Sequence, residues 1–332
     1  MSKFIVITSI FEPTDAVRGF VHQADHEVLV VGDRKSPAAW HCGRARFLSV
    51  GDQEALGYEL GRHLPYNHYC RKMLGYLHAM QAGASVIVDT DDDNIPGPGW
   101  GFPGFSGELR TVGDDLGFVN IYELYTGQKI WPRGYPLRLV NRRETIPAQA
   151  ISGGRVEVGV WQGLADEDPD VDAIYRLTSD EPCIFRDAGT YVLGRGTVTP
   201  FNSQNTAFRR ELFPLLYLPA FVTFRFTDIL RGLVAQPVMW AHGYRLGFTG
   251  ATVVQKRNPH DYMKDFESEI PMYLHAEKVV DLAAGSVSPG RSIGDNLHAA
   301  YGALHSAGIV CGKEMEALDA WLADCSRLAA KP

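Results

Sequence analysis

The 332-residue chain carries 32 Lys and Arg against 39 Asp and Glu, a formal net charge of −7, and is 45% hydrophobic. That length allows one large domain or two smaller ones, and the acidic balance argues against broad nucleic-acid binding, because no basic excess exists to neutralise phosphates. Five widely spaced cysteines without a Cys-x-x-Cys pair exclude a disulfide framework or zinc knuckle and read as reduced thiols of a cytoplasmic protein; no leader peptide or membrane-length apolar run is visible.

In chain order, residues 4–10 form an apolar run of buried-strand length, and Pro13 opens a helix in its first turn. Residues 27–33 give a second buried strand, so the three elements make a βαβ unit and predict a parallel sheet. Residues 66–81 read as a helix whose Tyr69, Met73, Tyr76, Leu77 and Met80 make one apolar stripe, with Gly83 as its C-terminal cap. Residues 84–88 are a third buried strand, followed by a Gly- and Pro-rich stretch, 95–107, that is either a flap or a plain surface connection. Strands are expected at 156–161 and 244–254, and helices at 169–177 and 227–242, the latter capped by Thr227. From 266 the pattern is helical to the end, with breaks at 285–294. The expectation is an α/β protein with a mostly parallel sheet flanked by helices: a catalytic domain over 1–265 and a helical extension over 266–332.

The third strand ends in four carboxylates within five residues: Asp89, Asp91, Asp92 and Asp93. At an effective dielectric near 20 and a separation of ~4 Å, each such pair costs about 4 kcal/mol, so something must neutralise them. A calcium loop begun at Asp89 would place Asn94 where Gly is needed and Trp100 where Glu is needed. No phosphate loop, His-Glu-x-x-His or Gly-x-Ser-x-Gly motif occurs. In an extended segment Asp91 and Asp93 point to one side and Asp92 to the other. A same-side pair of carboxylates can hold Mg²⁺ or Mn²⁺ and leave the other positions to water and substrate phosphates. Ligands of open α/β sheets bind past the strand ends, where this cluster lies. An Asp-x-Asp in that position is the layout of GT-A nucleotide-sugar glycosyltransferases, and it leaves Asp89 as a structural residue.

Several blocks resemble the STELLO family of GT-A glycosyltransferases: VITSIFEPT (6–14), VVGDRKSP (30–37), LPYNHYCRKMLGYLHAMQAGASVIVDTDDDN (64–94), WPRGYPL (131–137), QGLADEDPDVDAIYRLT (162–178), TPFNSQNT (199–206), FTDILRG (226–232) and QKRNPHDYMKDFESE (255–269). A more distant similarity links the acidic triplet to reversibly glycosylated polypeptides, the plant pyranose–furanose mutases. The resemblance implies a GT-A-like fold, a nucleotide-sugar donor (a UDP-sugar by analogy) and Mn²⁺ or Mg²⁺ at the triplet. It also implies a glycan or lipid-linked glycan as acceptor. The plant members look anchored by an added N-terminal segment; this chain is expected to be a cytoplasmic bacterial enzyme of surface-polysaccharide assembly. Membrane contact is expected to be at most peripheral, and a homo-oligomer is compatible.

On that template, Thr8 and Ser9 meet the nucleotide at the first strand end, and Asp33 accepts from the base while Arg34 faces phosphate. Arg71 and Lys72 offset the diphosphate, and Asp92 contacts sugar or ribose. Asn202, Gln204 and Asn205 suit sugar hydroxyls, and His260 joins Asp91 and Asp93 on the metal. An inverting transfer needs a base for the acceptor hydroxyl. Asp166, in the acidic run 166–172, and Asp228 compete for that role, and a retaining transfer needs neither. Two other readings stand beside the transferase. One is a mutase or self-glycosylating protein that carries sugar on Arg176 or Arg231. The other is a non-catalytic scaffold for glycan synthesis.

Overall fold

The structure is a computed structural model that describes residues 2–179, 181–258 and 260–330. The first apolar runs become β1 (Ser2–Thr8) and β2 (His26–Val31), paired in parallel with Thr8 opposite Val31. Between them runs α1 (Asp15–Val21), opened by Thr14, whose Oγ1 accepts the Val17 amide at 3.3 Å. β3 (Arg46–Leu48) extends the sheet past β2 and leads into α2 (Val50–Ala55), which Ser49 and Asp52 close in a capping box. On the other side of β1, α3 (Lys72–Gln81) delivers β4 (Ala84–Thr90). Phe4, Val6, Leu29 and Val31 pack with α3, whereas Ile5, Ile7, Val28 and Val30 pack with α1. That period-two division is what a sheet buried on both faces requires. α3 lies so close that a Cβ on Gly75 would stand 2.6 Å from Val31 Cγ2 and 2.7 Å from Val6 Cγ1.

The helix expected over 66–81 is shorter. Asn67 has φ of 54°, a left-handed conformation that a helix cannot continue through, and a 3₁₀ turn (Tyr69–Arg71) then leads into α3.

The expectation of a mostly parallel sheet holds for β3-β2-β1-β4, whereas the rest of the sheet mixes parallel and antiparallel pairs. The remaining strands are β5 (Asn94–Pro96), β6 (Ser106–Val112), β7 (Gly117–Phe118), β8 (Ile151–Asp166), β9 (Tyr191–Leu193), β10 (Thr197–Val198), β11 (Asn205–Arg209) and β12 (Arg245–Gln255). The main sheet is mixed, with the order β3-β2-β1-β4-β11-β8-β6-β9-β12-β5. β11 enters beside β4 and runs antiparallel to it. β8 is long enough to serve two partners: its first half is antiparallel to β6 and its second half parallel to β12.

The helices after β4 are α4 (Ala173–Thr178), α5 (Thr227–Ala241), α6 (Tyr262–Ser286), α7 (Ile293–Ser306) and α8 (Gly312–Ala329). Thr227 is the first helical residue of α5 rather than its cap, because a 3₁₀ turn (Phe224–Phe226) runs directly into the helix. α6 packs on α5, and α8 packs on α3. Two buried carboxylates tie α8 back to the sheet domain: Glu314 accepts the Ala220 and Phe221 amides at 3.0 and 2.8 Å, and Asp324 accepts the Leu60 amide at 3.0 Å. The 95–107 stretch is no flap over the strand ends. Trp100 pins it, edge-on to Phe20 and donating to Asn205 Oδ1 at 3.2 Å.

Candidate functional site

The carboxyl ends of β1, β2 and β4 open into a cleft of about 330 Å³, within the range of small-ligand pockets. Among the residues proposed from sequence, it gathers Thr8, Ser9, Asp33, Arg71, Asp91, Asp92, Asp93, Asn202, Gln204, Asp228 and His260. Arg34, Lys72, Asn205 and Asp166 lie outside its lining.

The acidic cluster is divided by what lies beneath it. Asp89 is fully buried between two cations, with Oδ1 2.8 Å from Lys72 Nζ and Oδ2 2.6 Å from Arg231 Nη1. Burial alone would raise its carboxyl, and the two cations outweigh that and hold it low. Lys72 is therefore a structural cation below the floor. Its Nζ also reaches Thr90 O and Asp91 Oδ1, each at 2.8 Å, and the carboxylates keep it charged against burial.

Asp91, Asp92 and Asp93 face the cleft. Asp91 opens into it, 39% exposed at a deep concave wall. Burial, with Asp93 and Asp89 adding to it, raises its carboxyl to about 6 despite Lys72. Asp92 is raised to about 6 by burial, against the Ser9 hydroxyl that donates to its Oδ2 at 2.5 Å. Burial also raises Asp93, whose Oδ2 accepts from Gln255 Nε2 at 3.1 Å. Three carboxyls that repel their own ionisation on one wall fit an oxygen-seeking divalent cation. Among the described residues no three His, Cys, Asp or Glu side chains converge as a ready-made metal cage. Asp91 and Asp93 would leave most positions of a hexacoordinate ion to water or substrate oxygens, as Mg²⁺ usually accepts. His260 stands at the rim with Nδ1 2.9 Å from Asp265 Oδ2.

The floor is a network that the sequence reading did not anticipate. Arg133 forks onto Asp170, Nε to Oδ1 at 2.7 Å and Nη2 to Oδ2 at 2.8 Å, and reaches Asp228 Oδ2 at 2.8 Å. Asp170 is pulled down to about 2 because Arg133 outweighs burial. Asp228 spends both oxygens here, accepting also from Arg133 Nη1 at 3.1 Å and Tyr69 Oη at 3.4 Å. Asn202 is equally committed: Nδ2 donates to Asp170 Oδ2 at 2.7 Å and Oδ1 accepts the Gln204 amide at 2.9 Å. Ser203 Oγ, buried in the same floor, has no partner among the described residues.

At the β2 end, Gln53 is locked by Gly32 O and Leu48 O at 2.8 and 2.9 Å and holds Arg71 Nε at 2.9 Å. Arg71 is 1% exposed and its Nη1 is unpartnered. Asp33 accepts the His68 amide at 3.2 Å. His68, held neutral by burial with its pKa lowered to about 4, stacks on Tyr69, and Phe224 meets both rings edge-on. These rings form an aromatic mouth.

The residues outside the lining have other work. Arg34 lies over the Tyr66 ring at 3.6 Å. Asn205 is buried behind the wall, with Nδ2 on Thr252 Oγ1 at 2.8 Å. Asp166 Oδ1 accepts the Phe185 amide at 2.9 Å. Arg231 lies buried on Asp89 and Asn202 O, and Arg176 is buried against Asp168. Arg133, Asp170, Arg225 and Arg257 line the cleft and were not singled out from sequence. All four fall in the blocks that carry the family resemblance or directly beside one, which was the available signal.

Comparison with known proteins places the chain among glycosyltransferase relatives. Residues 225–330 match the family model described as STELLO glycosyltransferases. Over 303 residues the chain is 32% identical to "Probable glycosyltransferase STELLO2" of Arabidopsis thaliana, covering 84% of this chain and 38% of that protein. It is 31% identical over 268 residues to "Probable glycosyltransferase STELLO1" of the same plant, covering 73% of this chain and 34% of the relative. The chain thus spans little more than a third of the length of the curated relatives it matches. No helix among the described residues is long and apolar enough to cross a membrane.

Proposed function

The chain belongs to the STELLO family of glycosyltransferases, and on that premise we propose that its cleft binds a nucleoside-diphosphate sugar with a divalent cation and transfers the sugar to a glycan or lipid-linked glycan. The fold is read as GT-A-like. The observation that carries the proposal is the wall of Asp91, Asp92 and Asp93, two of them raised to about 6, at a strand end inside an aromatic-mouthed cleft.

Asp91 and Asp93 would hold Mn²⁺ or Mg²⁺. Such a cation neutralises the departing diphosphate as a Lewis acid. Lys72 fixes the Asp91 carboxylate from below, and the Ser9 hydroxyl fixes Asp92. Asp33, the free Nη1 of Arg71 and the His68–Tyr69 stack suit a nucleobase and ribose. For an inverting transfer a carboxylate must take the acceptor proton. Of the two sequence candidates Asp228 lines the cleft and Asp166 does not, so we assign that task to Asp228, which Arg133 and the Tyr69 hydroxyl hold in place.

The test is incubation with a panel of nucleotide sugars and Mn²⁺, followed by separation of products. Nucleoside-diphosphate release without ring isomers supports transfer. Ring isomers of the intact nucleotide sugar would replace the assignment by a mutase. The geometry favours transfer, because Arg231 is sealed beneath the floor and Arg176 lies outside the cleft lining.

A further inference from the structure

Arg257 is a poorly compensated charge in the cleft wall. It follows the end of β12, where the Lys256 amide donates to Asp93 O at 3.0 Å and so ties this segment to the acidic wall. The Arg257 side chain is 8% exposed, lines the cleft, and leaves Nε without a hydrogen-bond partner. Its contact with Asp265 is long, 3.7 Å from Nη2 to Oδ2, and His260 Nδ1 occupies the same oxygen at 2.9 Å. Arg225, in the same wall, is well matched by contrast, with Nε and Nη2 each 3.0 Å from Glu269 Oε1.

The electrostatic surroundings agree. Asp168 and Asp170 favour the charged form of Arg257. Burial and the like charges of Arg225 and Arg176 outweigh them, and lower the guanidinium to about 10. A buried cation with a free donor costs stability unless an anion meets it. A guanidinium presenting Nε and Nη as a planar fork matches a phosphoryl group. The charge of Arg257 also reaches Asp93, opposing the burial that raises its carboxyl, and the Lys256 amide holds the two segments together. The anion it awaits therefore lies next to the acidic wall and away from the nucleobase end at Asp33.

Resting on the donor proposed above, we infer that Arg257 forms an anion subsite for the sugar-side phosphate of the donor diphosphate. Asp91 and Asp93 would hold the cation that meets the diphosphate, and Arg257 acts on the diphosphate itself.

The experiment is calorimetric titration of the full chain in Mn²⁺ with UDP, GDP, ADP and CDP and with the matching monophosphates. Wild type, Arg257→Gln and Arg257→Lys are compared, and thermal melts of each ligand-free protein are recorded. Arg257→Gln should weaken the diphosphate that wild type prefers by about 10- to 100-fold, the worth of a charged hydrogen bond. The matching monophosphate, which lacks the sugar-side phosphate, should change by less than about twofold on the same scale. Arg257→Lys should recover part of the loss. The ligand-free melting point of Arg257→Gln should stay level or rise, since an uncompensated buried cation has been removed. Unchanged diphosphate affinity, or equal loss for mono- and diphosphate with a lowered melting point, would overturn the subsite. Failure of wild type to bind any nucleoside diphosphate would instead overturn the donor reading, and the subsite with it.

Discussion

Lys72→Met keeps the stem of the side chain and removes only the ammonium. In the native chain that group is fully buried and sits 2.8 Å from each of Asp89 Oδ1, Asp91 Oδ1 and Thr90 O. The variant leaves the buried Asp89 with one of its two cations and the half-exposed Asp91 with none. Removing one partner of a buried ion pair costs roughly 3–5 kcal/mol. Two features hold the loss near the lower end, about 3 kcal/mol. Arg231 remains 2.6 Å from Asp89 Oδ2, and Asp91 opens to the cleft, where water can solvate it. Urea denaturation followed by tryptophan fluorescence at neutral pH measures the loss directly. Adding Asp91→Asn to Lys72→Met should recover part of it, because one of the stranded charges disappears. A loss below about 1 kcal/mol, the range of an exposed pair, would refute the reasoning that Lys72 neutralises the strand end.

The pH dependence has a defined sign. Asp91 and Asp92 titrate near about 6 in the folded chain against an ordinary 3.8, so between these values the folded state binds more protons than the unfolded one. Their contribution to stability is full below the lower value and lost as pH rises through the upper one. Cation affinity climbs over the same interval as the carboxyls ionise. Denaturation of wild type against the Asp91→Asn, Asp92→Asn double variant across this range checks it; a stability difference that stays constant with pH would refute it. Gly232→Ala should destabilise by about 1–3 kcal/mol despite the better helix propensity of Ala. A Cβ there would stand 2.2 Å from Phe201 O, so α5 and the loop carrying Asn202 and Ser203 must separate. Equal stability and equal nucleotide binding in Gly232→Ala would contradict that contact.

β1, β2 and β4 were legible because they are buried and read as unbroken apolar runs. β6 was not: Ser106–Val112 alternates exposed and half-buried positions in a polar sequence, and it follows a Gly- and Pro-rich stretch that signals only loop. The first half of β8 is similarly exposed, so only its apolar second half stood out. The mixed sheet arises from pairings such as Thr206 with Asp89 and Gln162, which no local pattern encodes. The acidic wall was legible from its strand-end position. The division between Asp89 and its neighbours was visible as well, but its cause was not, because Lys72 and Arg231 arrive from elements 17 and 142 residues away. Lys72 was expected at the diphosphate because it lies off the apolar stripe of its helix; the structure turns it beneath the floor instead. Arg133 and Arg257 carried no local signal, and Asp170 stood out only as a member of the acidic run 166–172, since their chemistry lies in pairings, or in a missing pairing, set by tertiary contacts.

The central claim is metal-dependent sugar transfer at the Asp91–Asp93 wall. Its most direct measurement is nucleoside-diphosphate release from the preferred nucleotide sugar, with and without Mn²⁺, by wild type and by Asp93→Ala. The account predicts release by wild type that requires Mn²⁺, and its loss in Asp93→Ala together with Mn²⁺-dependent donor binding. Release that is independent of Mn²⁺, or donor binding in Mn²⁺ that is unchanged in Asp93→Ala, would contradict it.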